Sequence, residues 1–171
     1  MQNTQVKPFS KKVRLITLAI AAAGVFFLFF YIKNILIEAG LFLACLIFML
    51  KFGQFFILDV DPVPFSVILL LHLYDFRVAL HFLLLALPVI DIVSSRFNHF
   101  SIINFASVLI TISIFYLTPL SGTELYLGII IFNVIRSIIN IMVGLGVYTI
   151  WSNAIHTAIY FVIGSVIEYL V

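Results

Sequence analysis

The residues whose types and spacing could do chemistry lie in the stretch FNVIRSIINIMVG. There Asn133, Arg136, Ser137, Asn140 and Gly144 fall at i, i+3, i+4, i+7 and i+11. Residues so spaced share one face of a helix. The positions between them are Ile, Val and Met, so one polar stripe runs along an otherwise apolar helix. A guanidinium at the centre of a membrane helix costs at least about 3 kcal/mol unless it is paired or wet. Two chemistries answer that cost for Arg136. It can form a buried ion pair that fixes helix register, with Asp59, Asp61, Asp75, Asp91 or Glu168 as partner. Alternatively, it can bind an anionic group on a ligand. Asn104, which shares a face with Ser107 and Thr111, could line one polar cavity with the stripe, and so could Asn153 and His156. The competing reading of Asn104 and His156 is interhelical hydrogen bonding, which is worth about 0.6 kcal/mol per bond in membranes.

A second set of charges interrupts the apolar text of FILDVDPVPFSVILLLHLYDFRVALHFLLLALPVIDIVSSRFNH. It holds Asp59, Asp61, Asp75, Arg77, Asp91 and Arg96. Proline is at home in the first turn of a helix, and aspartate is a favoured N-cap. Pro62 is therefore expected to open a helix capped by Asp61. The preceding FILDVD is expected to be extended and to act as a flap at one mouth of a cavity. Asp75 and Arg77 are expected to form a hinge. The six charged residues are assigned gating or structural roles. Asp59 and Asp61 could hold a cation as a pair, but two carboxylates beside two prolines more often make a capped turn.

Other chemistries lack their residues. There is no GxSxG, no HExxH and no phosphate-binding glycine loop. The four His and single Cys45 show no close ligand spacing, so neither a metal nor a cofactor is expected. A lone cysteine also excludes an intrachain disulfide. Nothing points to nucleic acid. Catalysis stays open only as a lipid-active enzyme using the aspartates.

The elements that must position these residues follow from composition. Of 171 residues, 64% are hydrophobic and 9% charged, where a soluble domain carries about 25% charged. Such a chain belongs in lipid. Continuous apolar runs mean helices, because a spanning β-strand would alternate. The expected fold is all-α, a polytopic integral membrane helix bundle of six or seven spans. Lys7, Lys11, Lys12 and Arg14 precede the first run, which places the N-terminus in the cytoplasm. Residues 1–12 read as a tail and 13–171 as the transmembrane domain. Helices are expected over 15–32, 35–52, 62–74, 78–93, 102–118, 124–147 and 149–171. The thirteen residues of 62–74 fall short of the about 20 that a span needs. That helix is either re-entrant, giving six spans, or a short span, giving seven.

The text LDVDPVPFSVILLLHLYDFRVALHFLLLALPVID, followed by SIINFASVLI, resembles the S-components of energy-coupling-factor vitamin transporters. The basic N-terminus and the small residues of the first helix, with Ala19 and Ala23 four apart, fit the same pattern. MreD-like cell-shape proteins are similar in size and helix plan. The resemblance covers roughly residues 57–110. It implies a multi-pass subunit of the cell membrane that binds a small polar or anionic solute for uptake. Asn104, Asn133, Arg136, Asn140, Asn153 and His156 are the candidate contacts. Nothing in the chain binds nucleotide, so an energising membrane partner is implied. The alternative is a non-catalytic scaffold whose buried charges only fix helix packing.

Overall fold

The computed structural model describes residues 35–52, 61–95, 97–118 and 124–170. The tail 1–12, the first expected span 15–32, the segment 53–60 with Asp59, Arg96 and the turn 119–123 lie outside the described residues. The chain divides into two units, residues 1–39 and 40–171. The described part of the first is the start of helix α1 (Ile35–Phe52). The second unit continues α1 and adds α2 (Pro62–Leu73), α3 (Phe76–Val93), α4 (His99–Leu117), α5 (Glu124–Met142) and α6 (Tyr148–Leu170). No strand occurs among the described residues. Five helices, all but α2, are long and apolar enough to cross a membrane. The described chain is thus all-α and compatible with membrane insertion.

Local sequence sets the helix ends. Asp61 caps α2 by accepting from the Val63 amide at 2.9 Å, and Pro62 occupies its first turn. Asp75 caps α3 by accepting from the Val78 amide at 2.9 Å. The break between α2 and α3 is therefore only Tyr74 and Asp75, and the expected hinge partner Arg77 lies in the first turn of α3, exposed. Asn98 and Ser101 form a capping box, which starts α4 at His99, three residues before the expected start.

The largest departure from expectation is at the end of α5. The helix stops at Met142, not at 147. Gly144 and Gly146 adopt φ of 85° and 79°, a region open to glycine at little cost. The Gly144 amide bonds to the Ile141 carbonyl at 3.0 Å and the Leu145 amide to the Asn140 carbonyl at 2.9 Å. This pair of bonds is the Schellman closure of a helix. Gly144 thus ends α5 and is not part of the polar stripe.

Helix α2 is the innermost element of the second unit. Every residue from Val63 to Leu70 is buried, as expected of a helix that is apolar all round. It packs against α3, α4 and α5. A β-carbon at Gly128 of α5 would stand 2.7 Å from Cγ2 of the fully buried Ile68. That glycine lets the two backbones approach. At Gly164 of α6 the nearest atom would be Cδ2 of Leu125, at the looser distance of 3.3 Å.

Gly128→Ala is therefore expected to cost about 1–3 kcal/mol by overpacking a stiff β-branched neighbour. Gly164→Ala should cost less. Thermal unfolding of the purified protein in detergent compares them, and an equal or larger loss from Gly164→Ala would refute this packing account.

Candidate functional site

The stripe on α5 faces inward. Asn133 and Arg136 are each 4% exposed and Asn140 is 2% exposed, while Val134, Ile138 and Ile141 point outward. Asn104, Asn153 and His156 are buried as well. All six candidate contacts therefore lie in the interior. The hydrogen bonds of all but Asn140 sort them into separate neighbourhoods and not into one cavity.

The first neighbourhood joins α5 to α6. Nη1 of Arg136 lies 2.9 Å from Nδ1 of His156. A guanidinium has donors only. His156 must therefore accept at Nδ1, which makes it a neutral imidazole with its proton on Nε2. Of the acidic partners considered for Arg136, Glu168 is engaged elsewhere. It accepts from the Tyr126 hydroxyl at 2.7 Å and faces Nε2 of His72 at 3.9 Å. Asp75 is committed to its cap. The Arg136 charge acts on Asp61.

The second neighbourhood gathers around Asp61, where α2, α4 and α6 meet. Nδ2 of Asn104 donates to the Asp61 carboxylate at 3.1 Å. The Tyr160 hydroxyl donates to the Asp61 carbonyl at 2.5 Å. Asp61 precedes α2 and lies outside the five long helices. Burial pushes its carboxyl up to about 6, and the nearby Asp91 charge pushes the same way. The Val63 amide, Arg136 and Asn104 oppose that rise. A small cavity of about 30 Å³ lies here, lined by both carboxylates with Asn98, Ser101 and Asn104.

The third neighbourhood is a groove of about 330 Å³ between α5 and α6. Its walls are apolar, with Ile130, Val134, Ile138 and Ile150 among them. Its polar groups are Asn133, Ser137, Asn153 and Thr157. Nδ2 of Asn153 donates to the Ser137 hydroxyl at 2.7 Å, and that hydroxyl donates to the Asn133 carbonyl at 2.8 Å.

Three amide oxygens in this interior, on Asn104, Asn133 and Asn140, have no hydrogen-bond partner among the described residues. Two of the amide orientations are fixed by chemistry. Nδ2 of Asn133 donates to the Ile129 carbonyl at 3.0 Å, and Nδ2 of Asn104 faces a carboxylate. Flipping either amide would set oxygen against oxygen. By contrast, the Ser107 and Thr111 hydroxyls are spent on the Ile103 and Ser107 carbonyls of their own helix, both at 2.7 Å. They offer a ligand no donor.

Sequence reasoning did not find Tyr160. Its one signal was its place one turn after His156 on the same helix face. It also missed the bond between Cys45 and Ser66, 3.2 Å apart, because a lone thiol in an apolar run looks like core. Comparison with family models, curated proteins and solved structures finds no match to this chain.

Tyr160→Phe deletes one hydroxyl and leaves the ring in place. The expected loss is about 1 kcal/mol, which corresponds to a fall in Tm of about 2–4 °C for a chain of this size. An unchanged Tm would show that the link from α6 to the α2 cap contributes nothing.

Proposed function

We propose that this chain is a membrane-embedded, non-catalytic subunit that binds a small polar solute in the groove between α5 and α6. The observation that carries this reading is the amide oxygen of Asn133. It belongs to a side chain 4% exposed that lines a groove of about 330 Å³, and it has no partner among the described residues. A buried acceptor left unmet costs about 1–3 kcal/mol. The groove's size falls at the lower end of small-molecule sites, about 300–1,000 Å³, and its apolar walls with few polar groups fit their usual lining. An unmet acceptor selects a solute with an N–H or O–H donor. Arg136, one turn along and bonded to His156, supplies a positive field behind the groove. That field suits a solute that also carries an anionic group. Uptake would then need an energising membrane partner. The run 15–32 with the five long helices would make six spans, with α2 as a short inner helix and the N-terminus in the cytoplasm.

One observation favours the scaffold reading instead. The Arg136–His156 pair closes on itself and needs no ligand to satisfy Nη1. The two readings part on mutation. Asn133→Leu should leave Tm unchanged or raised and remove the Tm increase that a polar solute from a metabolite panel produces in the wild type. Arg136→Met breaks a buried polar pair and should lower Tm under both readings, by the several kcal/mol typical of such losses. If no solute in the panel moves the wild-type Tm and native mass spectrometry detects no small-molecule adduct, solute binding fails and the scaffold reading stands.

A further inference from the structure

We propose that the occupant of the α5–α6 groove is an uncharged amphiphile taken from the lipid phase, with an apolar tail and a head that donates and accepts hydrogen bonds side by side. A protonated carboxylic acid and a primary amide share that head. This inference rests on the solute reading and names the class of solute and its route. The groove runs along α5 from Ile130 to Ile141, about 16 Å of helix. Asn133 and Thr157 mark its inner part, and Ile141 and Ile150 its end next to the α5–α6 turn.

The rim of the groove decides the route. Val134 and Ile138 on α5 are 52% and 53% exposed, and Ile150 on α6 is 41% exposed. All three lie in helices long and apolar enough to cross a membrane. In a bilayer such residues face acyl chains, so the groove opens sideways to lipid. A solute confined to water would have to shed its hydration in the hydrocarbon layer, which is costly for every polar group left unmet. A molecule with an apolar tail is already concentrated there, and its tail matches the apolar walls.

The polar residues of the groove decide the head. Asn133, Ser137, Asn153 and Thr157 line it, and none of them is charged. Asn133 lies midway along the 19 residues of α5, a depth at which a bound charge is expensive. The Asn133 amide oxygen has no partner among the described residues and can only accept, so the head must donate. Nδ2 of Asn153 spends one N–H on the Ser137 hydroxyl. The same nitrogen carries a second N–H, which can meet an acceptor on the head. A phospholipid tail would fill the walls and leave the Asn133 oxygen unmet. Water would satisfy that oxygen and leave the walls bare.

The test uses the full-length protein in phosphatidylcholine nanodiscs. The probe is a fatty primary amide that carries a photoreactive diazirine in its tail. Irradiation should label the protein saturably, with adducts mapped by mass spectrometry to residues 130–157. Octanamide and octanoic acid should displace the probe. Methyl octanoate keeps the tail and the carbonyl but lacks the donor, and should not displace it. Asn133→Leu should lower labelling about tenfold. Ala154 lines the groove and is exposed. Ala154→Trp fills the groove, leaves every polar group in place, and should abolish labelling with Tm retained; this variant decides if Asn133→Leu does not fold. Equal displacement by methyl octanoate would overturn the donor head. Labelling that does not saturate, or that spreads over all the helices, would show that ordinary lipid or another part of the chain fills the groove, and would overturn the proposal. If a water-soluble solute raises Tm while the probe fails to label saturably, the route from lipid fails and solute binding stands. If neither occurs, both fail.

Discussion

The constraint on which the second unit depends is the need to satisfy Asp61 away from water. The carboxylate caps α2, takes the Asn104 amide from α4, and lies within the field of Arg136 on α5. Its carbonyl takes the Tyr160 hydroxyl from α6. One residue thus ties together four helices, counting the one that it begins. Apolar packing alone would not hold α2 in a fixed register, because its sequence is apolar on every side and its faces are nearly equivalent. In a membrane, lipid competes for the same contacts and the hydrophobic effect between helices is weak. The directional bonds at the cap therefore select one depth and one rotation for a helix that packing leaves underdetermined.

The pairing of α5 with α6 follows the same logic with different atoms. Arg136 is buried with its Nη1 against Nδ1 of a neutral His156. The arginine's charge reaches the Asp61 neighbourhood, which joins the two polar regions electrostatically although their cavities are lined by different residues. The hydroxyls of Ser137 and Thr157 bond to carbonyls of their own helices at 2.8 Å each, so both helices remain internally satisfied along the groove.

Much of this was legible in the chain. Asp61 before Pro62 announced a cap and a first turn, and the run 35–52 announced a helix with those same bounds. The spacing of Asn133, Arg136 and Asn140 correctly put all three on one inward face. Periodicity could not show where the face ends. It absorbed Gly144, because a glycine at i+11 looks like a member of the stripe until its positive φ is known. Nor could spacing show which helix each polar residue meets. Asn104 looked like a companion of Arg136, yet its amide is held by Asp61, and Glu168, one of five candidate acidic partners, lies with Tyr126 and His72. Such pairings depend on helix order and rotation, which one sequence does not encode locally.

The shortness of α2 has a geometric consequence. Its 12 residues rise about 18 Å, against a hydrocarbon layer about 30 Å thick. If one end is level with an interface, the other is buried about 12 Å inside the opposite leaflet. A helix too short to cross can therefore bring at most one of its two ends to water, and the polar groups of the other must be satisfied by protein.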